Sequence, residues 1–205
     1  MAISVEALHK DIRSQLKKHT SGFVSPEDID DALNKAAIDA LSTIVSAYRF
    51  DKQINNADQE LLVSATLAGS TSIHTLPDDI YSIVGVFDGN FEGDILSAFD
   101  FNNRRNSLIL APTKTRPVAT IYNNGGPKIE VLPASATNTI KYWKNPEPCV
   151  YAYTVTAGVI TFSAGGSTDL EFPMSYYTQI INRALVYLTP SAKNTEAAQL
   201  ETQIK

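Results

Sequence analysis

The sequence is poor in the residues that staple, ligate or cross membranes. Cys149 is the single cysteine, so an internal disulfide and a Cys/His zinc cluster are both excluded. There are only three histidines. His9 and His19 stand ten positions apart on a predicted surface helix, away from the four-residue spacing of helical metal pairs. No apolar run approaches the ~20 residues of a membrane span. The first residues have neither a basic start nor an apolar stretch behind it, so no signal peptide is expected. Basic charge is also short: 17 Lys and Arg face 22 Asp and Glu, for a net charge of −5, which argues against general nucleic-acid coating. These absences point to a chain made and kept in a reducing cytoplasm, or packaged from one.

What is present suits a folded chain. At 205 residues and 43% hydrophobic, it can bury a core as one medium domain or two small ones. The charge is unevenly placed. Residues 51–103 set Lys52 alone against nine acids, while residues 104–144 set seven bases against Glu130 alone. One explanation is neighbouring strands of opposite sign that pair across a sheet. The other is an acidic and a basic flank that meet between subunits, as in head-to-tail rings. For that second case the candidate interface residues are Asp78, Asp79 and Asp94 on the acidic side and Arg104, Arg105 and Arg116 on the basic side.

Periodicity divides the chain. Val5, Leu8, Ile12, Leu16 and His19 recur at helical steps, and Gly22 ends that helix. Ser25-Pro26-Glu27-Asp28 is a strong helix start: a capping hydroxyl, a proline at the first turn, then acids at the positive end of the dipole. Ile29, Leu33, Ala37, Leu41 and Val45 follow on one face, flanked by Ala36, Ala40, Ile44 and Tyr48. From about 61 to 172 short β-like runs alternate with turn residues, among them Thr71–Leu76, Ser107–Leu110, Thr139–Trp143, Val150–Thr156 and Asp169–Phe172. Asn123-Asn-Gly-Gly126 and Ala157-Gly158 read as hairpin turns. Pro173 opens a last helical pattern through Leu188, and residues 191–205 are polar with Leu200 and Ile204 as apolar anchors. The expected class is α+β. N-terminal helices in 1–60 and a C-terminal helix in 173–205 form a helical bundle, with an antiparallel β domain, 61–172, inserted between them.

No constellation for catalysis emerges. His74 with Asp78 and Asp79 would need further ligands to hold a metal, and Asp after Pro is ordinary turn chemistry. Cys149, without a positioned histidine, reads as a buried structural thiol. The glycine pairs lack the Lys-Ser/Thr of a phosphate loop. Tyr142, Trp143, Tyr151 and Tyr153 could build a carbohydrate-binding or base-stacking platform, although core and interface packing is the commoner use of such residues. No cofactor is expected.

Two stretches carry a resemblance. One is Leu76-Pro-Asp-Asp-Ile-Tyr-Ser-Ile-Val-Gly-Val-Phe87. The other runs from Arg116-Pro-Val-Ala-Thr-Ile-Tyr122 through Lys128-Ile-Glu-Val-Leu-Pro133 to Thr139-Ile-Lys-Tyr-Trp-Lys-Asn-Pro146, followed by Asp169-Leu-Glu-Phe-Pro173 before a helix. This pattern resembles the head-to-tail connector (adaptor, or tail-tubular) proteins of tailed bacteriophages, most of all those of short-tailed and crAss-like phages. The resemblance implies a non-enzymatic virion protein. It would form a homo-oligomeric ring, usually of twelve subunits, beneath the portal protein, in contact with tail or collar proteins. The ring would extend the channel through which double-stranded DNA passes. In such families the C-terminal segment reaches onto the portal, which here implies docking through Leu200, Ile204 and Lys205. A ligand- or carbohydrate-binding β module is the alternative, and a hydrolase using His74, Asp78 and Asp79 ranks behind it.

Overall fold

The structure is a computed structural model that describes all residues except 1, 20–23, 52, 53, 55, 57, 68, 70, 158 and 189–205. The chain divides into two compact units, one drawn from Met1–Leu61 and Pro146–Lys205, the other from Leu62–Asn145.

The first unit is mainly helical. Helix α1, Val5–His19, buries Val5, Leu8, Ile12 and Leu16, the stripe its spacing predicts. It also buries His9, which the apolar spacing alone puts on the surface. Helix α1 borrows its cap from far along the chain: the first-turn Val5 N–H donates to Asp169 Oδ1 at 2.9 Å, and Ile3 and Leu170 exchange both backbone hydrogen bonds. A carboxylate there satisfies an orphan donor and complements the positive end of the helix.

Helix α2, Pro26–Asp51, is capped as expected. Ser25 Oγ accepts from Asp28 N–H at 3.1 Å, and the Asp28 carboxylate accepts in return from Ser25 Oγ at 2.8 Å, a reciprocal box. Its buried face contains Ile29, Leu33, Ala36, Ala37, Ala40 and Leu41, and the alanines among them permit close approach. Pro173 precedes a 3₁₀ turn, Met174–Tyr176, which continues into helix α4 over residues 177–188. That helix buries Ile180, Ile181, Ala184 and Leu188. Its exposed rim is tied to both earlier helices, by Tyr177 Oη to Asp11 at 2.7 Å, by Arg183 to Thr43 Oγ1 at 3.0 Å, and by Tyr187 Oη to Asp39.

The second unit holds a seven-stranded sheet, labelled in chain order: β1 Leu62–Thr66, β2 Ile73–Thr75, β3 Ile80–Asp88, β4 Phe91–Ile95, β5 Val118–Asn123, β6 Pro127–Leu132 and β7 Asn138–Lys144. The spatial order is β1-β7-β3-β4-β5-β6-β2, so β1 and β2 are the two ends. Leu67 beside β1 and Leu76 beside β2 share one core cluster with Val86, Ile129, Val131 and Ile140, so the sheet curls until its ends face a common interior. Gly125 and Gly126, both at positive φ, make the β5–β6 turn that Asn-Asn-Gly-Gly predicts.

Several expectations change. The sheet is not wholly antiparallel: Asp94 pairs with Val118 and Ile95 with Ala119 in parallel. A parallel pair needs a crossover, and it is supplied by helix α3, Ala98–Arg105, and the loop behind it. Neither strand β4 nor helix α3 is signalled by the sequence pattern. Ser107–Leu110, expected as a strand, is a series of bends, and Asp169–Phe172 contributes only the Leu170 bridge. The β boundary expected at 172 falls at 145. The hairpin of β8, Tyr153–Thr156, and β9, Val159–Phe162, belongs to the helical unit. Helix α2 holds that return segment directly. Asn34 bonds both polar atoms of the Cys149 backbone, Asp30 accepts from Tyr151 N–H, and Glu27 accepts from Tyr153 Oη. Among the described residues no helix is long and apolar enough to cross a membrane.

Candidate functional site

The candidate interface charges lie mostly on the crossover of the β unit. Ser97 caps α3 by accepting from Asp100 N–H at 3.2 Å, the same Ser-x-x-Asp chemistry that starts α2. This fixes Arg104 and Arg105 in the last turn, where cations complement the negative helix end. From there Arg104 stands 3.9 Å from Asp94 on β4, and Arg105 bonds Glu130 on β6 at 3.2 Å. The acidic and basic stretches therefore meet within one chain at the Arg104–Asp94 pair, while Arg105 is matched to Glu130, the single acid of the basic stretch. Each pair keeps one well-solvated partner, Asp94 in the first and Arg105 in the second, while Arg104 and Glu130 are more covered, and such partly exposed pairs contribute about 1 kcal/mol.

The other three candidates are arranged differently. Asp79 is half-buried and structural: its Oδ1 accepts from Tyr142 Oη at 3.1 Å and its carbonyl accepts from Asn145 N–H at 2.6 Å. Burial first, and then the Asp79 carboxylate, hold the Tyr142 hydroxyl above its ordinary range. Asp78 is exposed in the turn before β3, and Arg116 is exposed where a tight turn closes by paired backbone bonds to Thr113. Neither Asp78, Lys114 nor Arg116 has an ion pair among the described residues. Leu200, Ile204 and Lys205 lie outside the described residues.

Sequence reasoning missed the most exposed apolar feature of the unit. Leu108 is 101% exposed, Ile109 87% and Leu110 47%, on the loop between α3 and β5. Phe99 on α3 is exposed as well. Their only sequence signal was the apolar run at 107–110, which resembles a buried strand. Three adjacent aliphatic side chains stand in water on one loop, an apolar exposure the rest of the fold does not cover.

The sites considered for chemistry resolve into packing. Trp143 is 1% exposed, and Tyr142 and Tyr151 are buried, so the predicted aromatic cluster presents no platform to a sugar or base. Tyr151 stacks on His9, with ring centroids 4.1 Å apart, and His9 Nε2 is 2.7 Å from Asp30 Oδ1. Cys149 is fully buried, and its thiol is pushed up to about 12 by burial and by the Asp30 charge. Among the described residues, no three His, Cys, Asp or Glu side chains gather where they could hold a metal ion.

No curated protein matches the chain. The family model described as SU10 adaptor protein matches residues 6–204, both compact units included. With nearly its whole length under that model, the chain belongs to the SU10 adaptor protein family, a family of structural phage adaptors and not of enzymes.

Proposed function

We propose that the chain is a subunit of a ring at the phage head–tail junction, joining the portal to the tail and surrounding the path of the DNA. The observation that carries this reading is the family match over residues 6–204. Twelve copies is the expected number, and the short-tailed type, including the crAss-like group, is the expected setting. Assembly would occur in the host bacterial cytoplasm before incorporation into the virion.

The physical features support this role. A net charge of −5 disfavours retention of a polyanion, which suits a channel through which DNA slides. Solvated pairs such as Asp94–Arg104 can exchange partners with a neighbouring copy at little cost. We assign Asp78, Asp79, Asp94, Arg104, Arg105 and Arg116 to the surfaces that copies present to one another. Helices α1, α2 and α4 form the bundle of each subunit, and Leu200, Ile204 and Lys205 form the docking segment for the portal or an adjoining ring. The burial of Trp143 and Tyr142 removes the support for the carbohydrate-binding alternative.

Electron microscopy of purified virions, and of the recombinant protein mixed with its portal, tests the proposal. A closed ring beneath the portal is expected. A protein that stays monomeric and is missing from the particle refutes it.

A further inference from the structure

The sheet of the β unit has two free ends, and the tip of its crossover loop projects into water. Among the described residues, strand β1 pairs only with β7, and β2 only with β6. Between these ends lies a cavity of about 310 Å³, walled by residues 65–67 of the β1 side and by Ile73, His74, Thr75 and Pro77 of the β2 side. Ile73 is exposed at its mouth. His74 is buried in its wall, and its Nε2 has no hydrogen-bond partner among the described residues. A buried polar atom left unpaired is costly, and here it borders an opening with unsatisfied edge-strand groups.

We infer that the loop carrying Leu108 and Ile109 of one copy docks into the β1–β2 cleft of a second copy. Three observations select this occupant. First, residues 107–110 are a strand-prone apolar run that no ladder among the described residues receives, and Leu108 and Ile109 stay in water. Second, the flanking charges match. Lys114 and Arg116 follow the loop, exposed and without an ion pair among the described residues, while Asp78, next to Pro77 of the cleft wall, is exposed and equally unmatched. Third, loop and cleft are different surfaces of one unit, so each copy offers one forward and one backward. That is the heterologous contact from which rings close. The incoming aliphatic side chains fill the cavity. The loop backbone supplies hydrogen-bond partners to His74 Nε2 and to the free strand edges, in the manner of strand addition.

This inference rests on the ring reading, and the experiment separates the two. Full-length chains carrying Ile109→Cys and full-length chains carrying Ile73→Cys are mixed, assembled, and treated with a short bis-maleimide. Cys149 is buried with a raised thiol pKa, so the introduced cysteines react alone. Assembly is followed in parallel by sedimentation and electron microscopy. The expected result is covalent dimers at least about tenfold more abundant in the mixture than with either variant alone, and only in the oligomeric fraction. Rings that form without this cross-link overturn the docking and leave the ring standing. A chain that stays monomeric overturns both. As a second measurement, Leu108→Ser with Ile109→Ser should leave thermal melting unchanged, because both side chains are already solvated, yet weaken assembly by about tenfold or more. Undiminished assembly of that variant also overturns the docking.

Discussion

Replacing Asn34 by alanine should loosen the helical unit by about 2–4 kcal/mol. The Asn34 side chain does what a neighbouring strand would do for Cys149: Oδ1 accepts from Cys149 N–H at 2.8 Å, and Nδ2 donates to the Cys149 carbonyl at 3.2 Å. Cys149 is fully buried, so truncation orphans one donor and one acceptor, each costing about 1–3 kcal/mol. Asn34 itself is half-buried, which lets water recover part of that loss. Urea unfolding followed by far-ultraviolet circular dichroism should show the midpoint falling by about 1–2 M. Emission of Trp143, which lies in the β unit, serves as the reporter for the other half of the chain. Asn34→Asp sharpens the test. An ionised carboxylate keeps the bond from Cys149 N–H but sets a charged oxygen against the Cys149 carbonyl, whereas a protonated one restores the missing donor. The folded state should therefore raise the pKa of the introduced acid. Its bond is present below the ordinary value of about 3.9 and lost as pH rises through the folded pKa. Stability of this variant relative to the natural chain should improve on acidification. A loss below about 0.5 kcal/mol for Asn34→Ala, well under the cost of one orphaned group, or no relative gain at low pH for Asn34→Asp, would refute the reasoning.

Four further outcomes can be checked. Burial and the Asp11 hydrogen bond push Tyr177 up to about 12, burial and Asp58 raise Tyr176 further, and the Glu27 hydrogen bond raises Tyr153. These bonds are intact below the free tyrosine value of about 10 and are lost as pH climbs through the raised values, so helical signal should fall in alkali, and Tyr177→Phe should flatten part of that decline. Gly93→Ala should destabilise the β unit by about 1–3 kcal/mol, read by Trp143 emission, because a Cβ there meets the Pro117 carbonyl oxygen at 2.8 Å, at the parallel β4–β5 pair. Reversing Arg104 and Arg105 to Glu should cost the lone subunit about 1–2 kcal/mol, leaving melting cooperative, yet weaken oligomers measured by sedimentation. Cys149 should stay unreactive to a maleimide in the folded chain and become reactive in step with loss of helical signal.

Local chemistry accounts for what was legible in the sequence. The Ser25 box and the alanine-lined face of α2 act within a few residues, so helix, start and buried side all follow from spacing. The Asn-Asn-Gly-Gly turn is equally local. Tertiary context decided the rest. Residues 150–162 carry β-like composition, but whether a hairpin joins a sheet depends on partners, and Asp30 and Asn34 hold this one against a helix. His9 reads as a surface residue because its polar ring breaks the apolar stripe, and only the fold brings Asp30 and Tyr151 to it. Strand β4 is short and polar, with Glu92 and Asp94 on it, and gives no alternation to read. Among the candidate site residues, Asp79 illustrates the limit. Its place after Leu-Pro reads as a turn acid, and its use as a brace for Tyr142 required knowing that β3 lies beside β7. The apolar run at 107–110 had the composition of a core strand, and composition cannot say that no strand among the described residues pairs with it.

The helical unit is drawn from both sides of the β unit, and this has a consequence for how the protein is made. On the ribosome α1 and α2 emerge first and must wait, with Ile29, Leu33 and Leu41 uncovered, while Leu62–Asn145 is translated and closes upon itself. Only when residues beyond 145 follow do Asp169 cap α1, Asn34 find Cys149, and Ile180 and Leu188 reach their cover. Completion of the helical unit thus waits on the segment beyond residue 145. A chain cut short in the β unit keeps part of a sheet but exposes a sticky helix pair, a signal to proteases.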